Sequence, residues 1–162
     1  MRWLDMDRKP PPDRVTSRAR SAPLGVAMPL VRIDLVRGRS EADVRAVADA
    51  VHAALVDVLG IPEDDRFQVI SEHEPGRVIA QDAGLGFQRS DALVMIQVFT
   101  QVGRDTSTKQ QVFEAIASRL GALGVGGHDV FVGIVENTAA DWSFGFGRAQ
   151  YVVGDLPVPA RP

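Results

Sequence analysis

Few residues in this 162-residue chain are equipped for chemistry. It has no cysteine, which excludes thiolate nucleophiles and disulfides, and its three histidines, His52, His73 and His128, are too scattered for a zinc site. Gly84 and Gly86 lack the third glycine of a dinucleotide fingerprint and no helical pattern follows them, so they read as a loop turn. What remains is Pro29, directly after a second methionine, together with Asp65, Arg104 and the aromatic residues Trp142, Phe144 and Tyr151. A proline that begins a chain carries a secondary amine with a reference pKa of about 8, which guanidinium groups and an apolar pocket lower toward neutrality. Such a group serves as acid or base at working pH. Inside a chain the same nitrogen is a tertiary amide with no useful basicity. Arg104 is suited to anchoring a carboxylate bidentately at a helix start, where free backbone N–H groups also lie. Each residue also has a plainer role: Pro29 as a strand opener, Arg104 as a solvated helix-terminus arginine, Asp65 as a cap of the next strand or partner of Arg66, and the aromatics as core.

The elements that must position these groups follow from periodicity. Val31, Ile33 and Leu35 alternate with Arg32 and Asp34, the period of a half-buried strand. Ser40 and Asp43 open a helix with Val44, Val47, Val51, Leu55, Val58 and Leu59 on one face, and Gly60 with Pro62 closes it. Residues 67–71 read as a second strand, 73–90 as a turn-rich passage, and 92–99 as a nearly continuous apolar strand. A second helix carries Val112, Phe113, Ile116, Leu120 and Leu123 before Gly124, and residues 130–135 form another strand. Gly145-Phe146-Gly147, followed by residues 149–153, suggests a turn and a short edge hairpin.

The two halves repeat each other. Gly38-Arg39 answers Gly103-Arg104, Leu59-Gly60-Ile61 answers Leu123-Gly124-Val125, and Asp65, Phe67, Ile70 and Glu72 answer Asp129, Phe131, Ile134 and Glu136. Two β-α-β units with right-handed crossovers give an α/β fold, a four-stranded sheet with both helices on one face. The other face, where Val, Ile and Phe are expected to alternate, is left to pack against further copies of the chain, so an oligomer is expected. Arg39 sits where Arg104 does but has no proline to pair with, which leaves it a weaker, structural role.

Residues 1–28 differ from the rest. They hold Arg2, Arg8, Lys9, Arg14, Arg18 and Arg20 against Asp5, Asp7 and Asp13, and the run Pro10, Pro11, Pro12. They read as an unfolded extension or as sequence upstream of a true start at Met28, with the domain at 29–162. The net charge of −3 therefore conceals a more acidic domain, without the basic footprint that attracts nucleic acid or anionic lipid. No apolar run approaches a membrane span, and the lack of cysteine fits a cytoplasmic protein.

Met28-Pro29-Leu30-Val31, Gly38-Arg39-Ser40, Asp65-Arg66-Phe67-Gln68, Asp82-Ala83-Gly84-Leu85-Gly86, and above all Glu136-Asn137-Thr138-Ala139-Ala140-Asp141-Trp142-Ser143-Phe144-Gly145, resemble the tautomerase superfamily, in particular its malonate semialdehyde decarboxylase branch. The resemblance implies a trimer of β-α-β repeats without a cofactor, in which the initiator methionine is removed and Pro29 becomes the catalytic group. It implies that Asp65 activates or orients water beside the proline, that Arg104 binds the substrate carboxylate, and that Trp142, Phe144, Tyr151 and Leu156 form an apolar wall. The branch carries two arginines before the second helix, whereas this chain reads Phe99-Thr100-Gln101-Val102-Gly103-Arg104, so Gln101 or Val102 takes one arginine's place. Phe146 also replaces a basic residue usual in that segment. Decarboxylation profits from cations at the carbonyl oxygen, and enolisation needs only one anchor. The reading from sequence is therefore a tautomerase-like enzyme of small 2-oxo or enol carboxylic acids. A malonate semialdehyde decarboxylase-like lyase is the alternative, and a non-catalytic oligomer a further one if residues 1–28 are retained.

Overall fold

The computed structural model describes residues 29–156; the extension at 1–28 lies outside the described residues. Strand β1 (Leu30–Val36) leads to helix α1 (Glu41–Leu59) and strand β2 (Phe67–His73), then β3 (Val94–Gln101), α2 (Thr106–Ala122), β4 (Val130–Asn137) and a short helix α3 (Gln150–Val153). The sheet order is β2-β1-β3-β4. β1 pairs with β2 and β3 with β4 in parallel, and the two units join through the antiparallel pair β1 and β3. The tandem β-α-β architecture is thus the one expected.

The start of α1 is fixed where the sequence indicates, with the Ser40 side chain accepting from the Asp43 N–H at 3.2 Å. Gly60, at φ 66°, closes the helix in the left-handed conformation that a side chain resists. Asp105 caps α2 by accepting from the Thr108 N–H at 2.7 Å. Val31, Ile33 and Leu35 of β1 and Val94, Ile96 and Val98 of β3 bury themselves against Val47, Val51 and Leu55 of α1 and Val112, Ile116 and Leu120 of α2. Phe113 and Leu123, expected on the apolar face of α2, are exposed.

Three expectations need correction. Residues 149–153 do not form a hairpin. The Gln150 side chain accepts from the Phe144 N–H and donates to the Gly145 carbonyl, both at 2.9 Å, which closes the segment on itself, so residues 150–153 satisfy their backbone in a helical turn. His73 is not a loop residue; it ends β2, with Nε2 2.7 Å from Asp34 Oδ1. The uncovered sheet face carries valine and phenylalanine as expected but not isoleucine, because Ile33 and Ile96 alternate toward the helices. Phe67 and Val69 of β2 and Phe131 and Val135 of β4, 43–47% exposed, flank a middle strip that carries Arg32, Asp34 and Gln97 together with Leu30, Met95 and Phe99.

Candidate active site

The topology gathers the chemistry-bearing residues at one end of the sheet. β1 and β2 begin there, and β3 and β4 finish there, as the pairs Leu30 with Phe67, Leu30 with Phe99 and Gln101 with Asn137 show. Pro29, one residue before β1, is buried between the start of β2 and the last residues of β3. Beside it opens a pocket of about 240 Å³ lined by Pro29, Leu30, Phe67, Trp142, Ser143 and Phe144.

The wall of this pocket is an aromatic stack. Trp142 and Phe144 lie parallel with ring centroids 6.0 Å apart, Phe67 is tilted against Phe144 at 6.3 Å, and Tyr151 meets Phe144 edge-on at 5.4 Å. Trp142 is aimed by its indole N–H, which donates to Asn137 Oδ1 at 2.6 Å. The turn before it is set by a capping box, in which Thr138 N–H and Oγ1–H both donate to Asp141 Oδ2. Of the four wall residues expected, Trp142 and Phe144 line the pocket and Tyr151 is buried behind Phe144. Leu156 folds back through its N–H onto the Gln150 carbonyl at 3.2 Å and does not line the pocket. Phe67 was read as a strand residue only. Its place two residues after Asp65, at the start of a strand parallel to the one Pro29 opens, was the available signal.

Arg104 folds back over the end of β3. Its Nη1 donates to Thr100 Oγ1 at 2.8 Å and to the Gln101 carbonyl at 2.9 Å, and neither Nε nor Nη2 has a hydrogen-bond partner among the described residues. The edge left over, Nε with Nη2, is a fork that matches a carboxylate. Burial pulls the guanidinium below its ordinary pKa, and the nearby Glu136 opposes that; the group remains a cation at any working pH. Thr100, wholly buried, is a further residue that the sequence reading passed over.

Asp65 is buried, and neither plainer role holds: Arg66 pairs instead with Asp49 at 2.6 Å and Gln68 at 2.8 Å. Burial first, and Asp64 second, push the Asp65 carboxyl up to about 6, with His52 pulling the other way. Asp65 Oδ1 and Gln101 Nε2 are the two buried side-chain polar atoms without a hydrogen-bond partner among the described residues. Both belong to this end of the sheet, where orphaned polar atoms mark a place built for something other than packing. Asp65, Arg104 and Gln101 border this end without lining the aromatic pocket itself. Among the described residues no group of three or more His, Asp or Glu side chains could hold a metal ion.

A tandem β-α-β sheet with a buried proline opening its first central strand, and an acid and a guanidinium fork at the same end of the sheet, has the form of a tautomerase-type protein. Family models described as tautomerase enzyme match residues 65–145 and residues 29–88, and the chain belongs to the tautomerase family. Probable tautomerase YrdN of Bacillus subtilis (strain 168) is 40% identical over 130 residues, which are 80% of this chain and 100% of that protein. A crystal structure of FG41 malonate semialdehyde decarboxylase inhibited by 3-bromopropiolate is 59% identical, covering 80% of this chain and 99% of that one at a TM-score of 0.76. A further malonate semialdehyde decarboxylase structure is 41% identical, covering 78% and 98% at a TM-score of 0.73. The protein is an enzyme of tautomerase or decarboxylase type in the malonate semialdehyde decarboxylase-like branch.

Proposed function

We propose that the protein decarboxylates a small 3-oxo carboxylic acid of the malonate semialdehyde type, with tautomerisation of enolic 2-oxo acids as a slower activity of the same site. One observation carries the choice between the two: the 59% identity to a malonate semialdehyde decarboxylase over nearly its whole length. The missing second arginine favoured enolisation in the sequence reading, but another cation can do its work. In a chain that begins at Pro29, the protonated amine stands at the site and can hydrogen-bond the substrate carbonyl oxygen. The Nε–Nη2 edge of Arg104 anchors the carboxylate, and the aromatic wall keeps water from the reacting carbon. The bond between the carboxylate and the neighbouring carbon breaks, its electrons pass into an enolate held by the ammonium, and carbon dioxide leaves. The ammonium then gives its proton to that carbon, producing the aldehyde, and the neutral amine takes a replacement proton from water. Asp65, as a carboxylate, keeps the amine protonated between turnovers.

This reading requires a native start at Pro29 after removal of Met28, so residues 1–28 are not part of the active enzyme. It also makes the active form a homotrimer in the cytoplasm, its exposed Phe67, Val69, Phe131 and Val135 covered by other subunits. The test is a comparison of both reactions, on malonate semialdehyde and on phenylenolpyruvate, with protein beginning at Pro29. A higher kcat/KM for decarboxylation supports the proposal, and efficient tautomerisation with negligible decarboxylation overturns it. Labelling by 3-bromopropiolate, the inhibitor of the 59% identical decarboxylase, should fall on Pro29 in peptide mapping.

A further inference from the structure

Next to Arg104 stands an ion pair that no role above uses. Lys109, in the first turns of α2, holds its Nζ 2.8 Å from Glu136 Oε2, each side chain only 29% exposed. Glu136 is in register with Thr100 on the neighbouring parallel strand, which sets their Cα atoms about 4.8 Å apart with both side chains on the same face. Thr100 is the residue whose hydroxyl receives Arg104 Nη1 at 2.8 Å. The Glu136 carboxylate is thus within a side-chain swing of the one edge of Arg104 that has no partner among the described residues. Its pull on the guanidinium already opposes the effect of burial. A carboxylate so placed has the chemistry of the substrate group that Arg104 is suited to bind, and it would compete for the same fork.

We infer that Lys109 is a positioning residue that holds Glu136 away from Arg104, keeping the Nε–Nη2 fork open for the substrate carboxylate. The inference rests on the reading of Arg104 as the carboxylate anchor. Lys109 does not touch the substrate; it prevents an internal mimic from occupying the substrate's place. Removing the ammonium leaves Glu136 an unpaired, half-buried anion whose best remaining partner is Arg104. Removing both charges leaves Arg104 with its bonds to Thr100 and Gln101 and its outer edge open once more.

The experiment uses protein beginning at Pro29, with steady-state decarboxylation of malonate semialdehyde and competitive inhibition by malonate as the two readouts. Lys109→Met should raise KM and the malonate inhibition constant about ten-fold while kcat stays within two-fold. Lys109→Met combined with Glu136→Gln should return both constants to within two-fold of wild type, and Lys109→Arg should behave as wild type. Thermal melting of each variant identifies any that fails to fold, and Lys109→Gln, which also removes the ammonium, then takes the place of Lys109→Met with the same expected rise in both constants. A loss in Lys109→Met that the second substitution does not rescue, or that falls on kcat, overturns the inference, as does an unaffected Lys109→Met. Arg104→Ala is the parallel arm. If it binds malonate as wild type does, the anchor reading fails and the inference with it; if it binds poorly while Lys109→Met binds normally, only the inference fails.

Discussion

Arg39 donates from Nη2 to the carbonyl oxygen of Ala92 at 2.5 Å, whereas its repeat counterpart Arg104 spends Nη1 on both Thr100 Oγ1 and the Gln101 carbonyl and keeps its Nε–Nη2 edge without a hydrogen-bond partner among the described residues. Ala92 belongs to the stretch of chain that runs into β3, the repeat's equivalent of the residues just before β1. Arg39 is thereby tied through Nη2 to the chain that leads into β3, and Arg104 through Nη1 to the end of β3 itself. The groove beside Arg39 carries Asp43 and Asp91 against Arg37 and Arg39, so its charges offset one another. The structural role read for Arg39 is consistent with this bond, and the proposed anchor is Arg104 alone.

The two arginines should separate cleanly by mutation. Loss of a charge-assisted bidentate contact costs roughly 2–4 kcal/mol, so Arg104→Ala should lower kcat/KM by roughly 30- to 1,000-fold, with Arg104→Lys a partial rescue. Arg39→Ala should leave kcat/KM within two-fold and cost about 0.5–1.5 kcal/mol of stability. Kinetics and urea melts of both variants check this, and equal kinetic losses would contradict it.

Asp65 should weaken the fold it belongs to. In the full 162-residue chain, where Pro29 is an amide, the carboxyl is pushed up to about 6 from its ordinary 3.8, because burial disfavours its charge. The unfolded chain releases this proton near pH 4 and the folded chain only near pH 6, so stability falls as pH rises through that window. Asp65→Asn removes the effect. It should be more stable than wild type by up to about 3 kcal/mol at pH 7.5, and the gain should vanish below about pH 4, as read from urea melts at the two pH values.

Much of this architecture was legible because it rests on local rules. Alternation along residues 31–35, the Ser40 cap, the glycine at position 60 and the repeat each have physical causes confined to a few residues, and together they dictate the sheet and its helices. The misreadings arose where side chains settled a backbone that pattern left open. Gln150 bonded its own loop and turned an expected hairpin into α3, and Arg39 took the Ala92 carbonyl, with β3 beginning only at Val94. At the site, the residues with conspicuous chemistry stood out, whereas Thr100, Lys109 and Phe67 did not. Phe67 and Thr100 are placed by register across strands, and Lys109 by its ion pair from α2 to Glu136 of β4, neither of which any single stretch of sequence displays.

The open face gives a prediction about assembly. Phe67, Val69, Phe131 and Val135 expose between 43% and 47% of their surface on the single chain, too much large apolar surface on one sheet face to leave in water. Light scattering of protein beginning at Pro29 should give three times the chain mass. Val69→Arg, which puts an unpaired charge into that face, should shift the mass toward the monomer. A wild-type monomer at micromolar concentration would refute the prediction.

The last prediction joins the two ends of the proposed chemistry, the amine and the acid. With Pro29 as the first residue, catalysis needs a protonated amine and an ionised Asp65, so kcat/KM for decarboxylation should be bell-shaped in pH. The acid side reports Asp65. Its carboxyl stands near 6 when Pro29 is an amide, and the ammonium that appears once the chain begins at Pro29 favours the carboxylate, so this limb should lie no higher than about pH 6. Activity should fall as the pH drops through it. Asp65→Asn cannot ionise, so it should lose the acid limb altogether, and its rate at pH 7 should fall because nothing keeps the amine protonated. Protein that retains residues 1–28 should show no decarboxylation at any pH, since an amide nitrogen at Pro29 has no proton to give, and intact mass identifies which species is being assayed. An acid limb that survives Asp65→Asn unchanged would assign the ionisation to another group, and full activity in a preparation with the complete 162-residue mass would remove Pro29 from the mechanism.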